Sequence, residues 1–410
     1  MRTGGSAMAK ENIVLLSRAS FDVLKKDDQI LDVLADYDVF YMFSLRSSHL
    51  PPKSAVKELH VIELKGNEEY IASLIELINN NNKLSYIVST SEQDLLPSAY
   101  ARERLGLPGL TVQQSEYFRD KVAMKNGLIG KVPFPDFIDT HEFNEIRNFF
   151  QTYKKIIMKP KRGTGSQDCY VIHNLEELEQ VLHTVQGQQS GFFIEQFLDM
   201  PIYHFDALVR DGKMMFATIG RYDHPPLNYS DFDWLITTIS NEPTELYLKT
   251  SEMLLKVIDS YGVRDGVFHM EVFADDQEVY FGEIAARPAG GGIPEAIYQT
   301  WGVHLFEEHV RLQLQLAARF ESDKVFPVKY AGNMLYLPSR SGVVSNFDAA
   351  PLLSNPLVKS VTQHVENGQQ VGQVRYSADT IFTAAIAADT PDELDAAIKH
   401  VKNNTFVIIS

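Results

Sequence analysis

The chain has 410 residues, 44% hydrophobic, 11% aromatic and 22% charged, which is the make-up of a folded globular protein and excludes disordered, collagenous and low-complexity classes. At about 150 residues per domain, this length holds two or three domains with a sizeable core. With 38 Lys and Arg against 54 Asp and Glu the formal charge is −16, so neither nucleic acid nor an anionic membrane surface is expected as a partner.

Residues 1–7 (MRTGGSA) precede a second methionine, Met8, and read as a cloning remnant outside the fold. The N-terminus lacks the apolar core of a signal peptide, and no run approaches the roughly 18 apolar residues of a membrane span. From Asn12, apolar runs at 13–16, 39–43, 60–64 and 84–88 alternate with helical stretches, the pattern of βα units around a parallel sheet. One helix covers 68–78, and the four asparagines at 79–82 read as its stop. The first strand leads into Ser17-Arg18 and not into G-x-G-x-x-G, so dinucleotide binding has no motif. Residues 8–114 form the first, α/β domain.

A helix carrying Phe118-Arg119-Asp120-Lys121 follows Gly109, and Val132-Pro133-Phe134-Pro135 breaks the pattern, which places a domain junction over 115–135. Longer, antiparallel-type strands then cover 156–159, 192–197, 203–209, 214–219, 267–274 and 279–284. The single cysteine, Cys169, rules out an intrachain disulfide and a Cys-rich zinc site and points to a reducing, cytoplasmic location. In Asp168-Cys169-Tyr170-Val171 it reads as a small core residue. After a helix over 304–320, residues 321–410 carry turn glycines Gly342, Gly368 and Gly372 and a last helix over 391–402, a small α+β lobe. No internal repeat is visible.

Three stretches carry chemistry. The first is the hairpin of 267–274 and 279–284. A loop at 276–278 sets Glu271 opposite Glu283, and alternation puts His269, Glu271 and Phe273 on one face. Opposed carboxylates repel unless a cation lies between them. A solvent-exposed acidic patch is the plain alternative. Oxygen donors without His or Cys spacing favour Mg2+ over zinc, with Mn2+ as the alternative ion. The second stretch, Lys159-Pro160-Lys161-Arg162-Gly163-Thr164-Gly165-Ser166, offers backbone N–H groups and three cations to phosphates. It is not a Walker A loop, and an ordinary exposed turn has the same composition. The third, residues 192–198 with Glu195 and Gln196, is an apolar strand end that suits a purine ring. His204, just beyond, reads on its own as an interior histidine.

In this order the three stretches resemble the ATP-grasp superfamily of carboxylate ligases, over roughly residues 105–320. The resemblance implies a three-lobed fold of α/β and α+β type. Its parts are the N-terminal α/β domain (8–114), an ATP-grasp nucleotide-binding and catalytic domain with a core of antiparallel sheets (115–320), and a small C-terminal α+β lobe (321–410). It implies ATP and Mg2+ as cofactors, with Lys121, which follows Leu105-Gly106-Leu107-Pro108-Gly109, and Lys159 on the nucleotide. Gly163, Gly165 and Ser166 belong to a loop closing over phosphates, while Glu195, Gln196 and Leu198 form an adenine hinge. Glu271 and Glu283 become the metal ligands. Arg287 contacts the transferred phosphoryl group and the substrate carboxylate, so that Arg287 and Lys159 are the catalytic pair.

Two positions depart from the family pattern. Where a further metal ligand, Asn, commonly follows, this chain has Ala285, so water or a bidentate Glu283 must complete the shell. Where a charged residue commonly holds the ribose it has Ile202 and Tyr203, which leaves that role to His204 or to no residue. Glu283-Ile-Ala-Ala-Arg287 followed by Gly290-Gly291-Gly292 looks most like the amino-acid ligase branch. Gly291 and Gly292 would let substrate approach backbone N–H groups. Arg221, in the loop 220–234, is available for a substrate carboxylate. The implied reaction is amide formation through an acyl phosphate, with small-molecule carboxylate and amine substrates, one of them an amino acid. A carrier-protein thiol, a turnover-deficient ATP-binding regulator and a biotin-dependent carboxylase component are the competing readings. A homodimer is compatible with the architecture.

Overall fold

The computed structural model describes residues 10–44, 49–62, 67–321, 323–374 and 379–410. The expected cloning remnant at 1–7, and residues 63–64 of the expected run 60–64, lie outside them. The chain forms two compact units, Met1–Arg119 with Leu305–Ser322, and Asp120–His304 with Asp323–Ser410.

In the first unit four parallel strands lie in the order Glu58–Ile62, Tyr37–Ser44, Glu11–Ser17, Leu84–Ser89. A parallel sheet covered on both faces needs strands apolar on both faces. Ile13, Val14, Leu15 and Leu16 meet this need, all of them without solvent exposure. Ile13 and Leu15 pack with Val310 and Leu314 on one side. Val14 and Leu16 pack with Ile71 and Ile75 of the helix Glu68–Asn82 on the other. That helix runs through the asparagines expected to stop it. Asn81 and Asn82 point their side-chain amides back at the carbonyls of Leu77 and Ile78, and Lys83, at φ 40°, ends the helix instead. The helix expected over 304–320 is shorter, Leu305–Gln313, and belongs to this unit.

The second unit holds two antiparallel sheets. The smaller has the order Phe137–Ile138, Phe192–Gln196, Ile156–Pro160, Tyr170–Ile172, backed by the amphipathic helices Phe143–Tyr153 and Leu175–Thr184, whose Ile146, Phe150 and Leu178 enter its core. The larger has eight strands in the order Val279–Ala285, Gly266–Ala274, Ile202–Arg210, Lys213–Tyr222, Trp234–Ser240, Tyr330–Tyr336, Phe382–Ala388, Val358–Gln363. The last three strands come from the segment expected as a separate lobe from residue 321 onward. They continue the same sheet because Trp234–Ser240 pairs along its whole length with Tyr330–Tyr336. The closing helix Pro391–Asn404 starts at a capping box between Thr390 and Glu393. No described helix is long and apolar enough to cross a membrane.

Candidate active site

A cavity of about 380 Å³ opens in the second unit, with walls from the small sheet, the hairpin end of the large sheet and the loop 163–169. Phe118 and Arg119 end one helical stretch, and Asp120 starts another, accepting from the N–H groups of Val122 and Ala123 at 3.0 and 3.1 Å. The single helix expected across 118–121 is thus broken at Asp120. The new helix, Lys121–Asn126, places Lys121 and Lys125 one turn apart on one face, and both line the cavity.

Lys121 Nζ stands 3.0 Å from Glu283 Oε2 and donates to the Gly163 carbonyl at 3.1 Å. Lys125 is 2% exposed and pairs with Glu195 Oε1 at 2.6 Å. It also donates to the Gly282 carbonyl at 3.3 Å and sits by the rings of Phe134 and Phe281. Lys159 takes the other oxygen of Glu195, also at 2.6 Å. Burial pulls the Lys125 ammonium down despite Glu195. The same carboxylate outweighs burial at Lys159 and raises it. Against its own desolvation, Glu195 is held below the usual carboxylate range by the two lysines. A buried carboxylate between two cations fixes both ammonium groups in place.

On the hairpin Glu271 pairs with Glu283, and the register then shifts by one residue at Gly282. Beyond this bulge Ala274 pairs with Val279, so the loop covers 275–278 and not 276–278. Asp275 closes it by accepting from Gln277 and Glu278 at 2.8 and 2.9 Å. Burial works against ionisation of Glu283, but Lys121 prevails and holds its pKa to about 2. The Tyr222 hydroxyl donates to Glu271 Oε1 at 3.3 Å. Behind them, Asp206 accepts from His204 Nδ1 at 2.6 Å and from His269 Nδ1 at 2.9 Å. Burial alone would lower the His269 pKa, yet Asp206 pushes it up to about 9. Two carboxylates opening to a cavity, with Lys121 against one of them, fit a hard divalent cation.

Of the expected residues, Lys121, Lys159, Gly163, Gly165, Ser166, Glu195, Gln196, Leu198, Glu271 and Glu283 all line this cavity. The basic loop delivers one cation and not three, because Lys161 turns to Asp139 at 2.7 Å and Arg162 to Asp120 at 3.4 Å. Gly165 and Ser166 both hold positive φ, 63° and 58°, a turn that costs the serine conformational energy. Glu195 differs from its expected hinge role, since its carboxylate is consumed by Lys125 and Lys159. The hinge N–H groups of Gln196 and Phe197 already bond the carbonyls of Asp136 and Lys155, and Leu198 follows them in the cavity wall.

His204 cannot hold a ribose. It has no solvent exposure, its Nδ1 is bound to Asp206, and its Nε2 lies where a side chain on Gly220 would begin. Cys169 is not core either, being a half-buried part of the cavity wall. Four expected substrate residues, Arg221, Arg287, Gly291 and Gly292, lie outside the lining. Arg221 lies over the Tyr203 ring, Arg287 donates to the Pro288 carbonyl at 2.8 Å, and the Gly291 carbonyl accepts from Asn333 at 2.9 Å. From the loop 220–234 it is Pro225, Pro226, Leu227 and Asn228 that reach the cavity. Sequence reasoning misses Lys125, Tyr222, Asp206 and Gly282. Helical spacing from Lys121 is a signal for Lys125, and an isolated strand glycine is one for Gly282. The other two depend on tertiary pairing.

A family profile described as "ATP-grasp domain" matches residues 152–295. The chain is 27% identical over 272 residues to an L-arginine-specific L-amino acid ligase of Bacillus subtilis, covering 64% of this chain and 65% of that protein. It is 25% identical over 264 residues to a formate-dependent phosphoribosylglycinamide formyltransferase of Francisella tularensis, covering 62% of each. The chain thus matches just under two thirds of these relatives' length. Among solved structures, an L-amino acid ligase from Bacillus licheniformis superposes with a TM-score of 0.81 at 18% identity, over 98% of this chain and 100% of that one. A phosphoribosylglycinamide synthetase from Anaerococcus prevotii gives 0.71 at 16% identity, over 98% and 100%.

Proposed function

We propose, from the match of residues 152–295 to an ATP-grasp domain profile, that the chain is an ATP-dependent carboxylate–amine ligase that makes an amide through an acyl phosphate, releasing ADP and phosphate. The observation that supports this reading is the convergence of Lys121, Lys159, the 163–166 loop and the Glu271–Glu283 pair on one cavity. An amino acid is the proposed carboxylate substrate, in keeping with the ligases it resembles in sequence and fold.

No protein nucleophile is needed, since positioning and charge stabilisation carry such a transfer. Lys159, held on Glu195, presents a fixed positive charge to the nucleotide phosphates. Lys121 stands between the Gly163 carbonyl and Glu283. When phosphate arrives, it exchanges the carboxylate for a phosphate oxygen. Glu271 and Glu283 would hold Mg2+, whose charge offsets that of the phosphates. The loop 163–166 covers the transferring group and excludes water, which protects the acyl phosphate from hydrolysis. Arg287 acts on the substrate carboxylate and the phosphoryl group.

The test is ADP and phosphate release from Mg-ATP with amino acids and other carboxylates, singly and in pairs, with mass spectrometry of the products. The expected result is release that needs both a carboxylate and an amine, with a new amide mass. Bicarbonate-dependent release without an amide would overturn it, as would turnover that survives Glu283→Gln.

A further inference from the structure

We propose that His269 is a third protein ligand of the divalent cation placed above at Glu271 and Glu283, an inference that rests on that assignment. The site then offers one imidazole nitrogen with its carboxylate oxygens, a set that takes Mn2+ ahead of Mg2+.

His269 lies two residues before Glu271 on the strand Gly266–Ala274, and so on the same face as Glu271 and Phe273, both of which line the cavity. Its cross-strand partner is Ala285, which carries no donor atom. The ring cannot turn freely. Its Nδ1 donates to Asp206 Oδ1 at 2.9 Å, and Asp206 is itself fully buried and fixed by His204 at 2.6 Å. A carboxylate on Nδ1 leaves Nε2 as the atom that can ligate once it gives up its proton, the arrangement that orients and strengthens a histidine ligand.

Nε2 lies 3.8 Å from Glu271 Oε1. That is too long for a hydrogen bond. It is within the span of two atoms sharing one ion, which at about 2.1 Å each lie at most about 4.2 Å apart. Tyr222 steadies the same carboxylate oxygen at 3.3 Å. On ligation Nε2 carries no proton, and any proton held there leaves to solvent.

His204, Asp206 and His269 also bring possible ligand atoms within 4.8 Å of one another. In that trio, however, the inner atoms are joined by hydrogen bonds, and the outer nitrogen of His204 abuts Gly220. Only Nε2 of His269 is turned toward Glu271.

The experiment uses full-length protein with Mn2+, alone and with ADP. Free Mn2+ is counted by its EPR signal, and pulsed EPR of the bound ion reads nitrogen coupling. Directly bound imidazole nitrogen is expected in the wild type and in His173→Ala, which removes a histidine of the cavity wall. It is expected to vanish in His269→Ala, with Mn2+ affinity weakened about tenfold or more and Mg2+ affinity weakened less. Bound Mn2+ without imidazole coupling, and unchanged affinity in His269→Ala, overturns the proposal and leaves the Glu271–Glu283 assignment standing. Binding that is equally absent from wild type and Glu283→Gln overturns both. Should His269→Ala fail to fold, 15N-histidine labelling of wild type and His173→Ala decides the matter, because only a bound imidazole changes the coupling with the label.

Discussion

Glu271 pairs with Glu283 across the hairpin, while Val272, the next residue along, pairs with Phe281. Gly282 is the residue left over, and its carbonyl is free to turn toward Lys125. A side chain there would start 2.8 Å from the backbone oxygen of Glu271, which cannot move aside as a side chain could. Gly282→Ala is therefore expected to cost about 1–3 kcal/mol of stability and to weaken Mn2+ binding by misaligning the two carboxylates. Urea unfolding and metal titration check the two effects separately.

Glu195 is the common counter-charge of two lysines, one of them buried. Glu195→Leu strands Lys125 in an apolar pocket, and the expected loss is about 3–5 kcal/mol, read by denaturant unfolding of the nucleotide-free protein. A residue that merely touched adenine would leave that measurement unchanged and alter nucleotide affinity alone.

Arg287→Ala is expected to lower kcat about 100-fold or more while ATP affinity stays within about twofold. Isothermal titration and steady-state kinetics on the same preparation decide it. Weakened ATP binding with intact kcat would remove Arg287 from the proposed chemistry.

The Lys121–Glu283 pair gives a pH signature. The Glu283 carboxyl is desolvated, which alone would raise its pKa, but Lys121 lowers it from 4.5 to about 2. A group with a depressed folded pKa stabilises the fold above its unfolded value and loses that contribution as pH falls toward the folded one. In EDTA, the Tm gap between wild type and Lys121→Met is expected to hold steady from neutral pH down to about 5 and to close between about 4.5 and 2. Glu283 is 42% exposed at its side chain, so solvent screening keeps the gap small, at most about 1 kcal/mol. A gap that widens in acid would contradict the pairing.

Cys169 is the chain's only cysteine, and burial raises its thiol pKa. Alkylation near neutral pH is expected to be slow and to slow further with Mg-ATP, because the sulfur lies in the wall of the proposed nucleotide cavity. Intact-mass measurements follow it without any substrate.

Alternation and turn composition make the hairpin legible, since both act between near neighbours. The Glu271–Glu283 register agrees with a three-residue loop even though the loop is longer, because Gly282 adds a compensating residue to one strand. The N-terminal parallel sheet is legible for a similar reason, as its doubly apolar strands declare themselves one at a time. Lys125 and Glu195 are hidden by the seventy residues between them, and nothing local tells a buried counter-charge from an adenine hinge. The same holds for His204 and Gly220, which meet only once the strands pair, whereas Asp206, two residues on, shares the face of His204 by alternation alone. Asn79–Asn82 misleads because helix propensity is weak beside the packing of Ile71, Ile75 and Ile78 on the sheet.

The strand Tyr330–Tyr336 lies in the interior of the eight-stranded sheet, and Leu305–Ser322 completes the first unit. Neither unit is therefore a continuous length of chain. A ribosome that has made residues 152–295 has still to deliver the strands on which that sheet closes, and the N-terminal layer waits for a helix made more than two hundred residues after its last strand. Folding of this protein is thus expected to finish late in synthesis, and early termination products would expose open strand edges for proteases and chaperones to find.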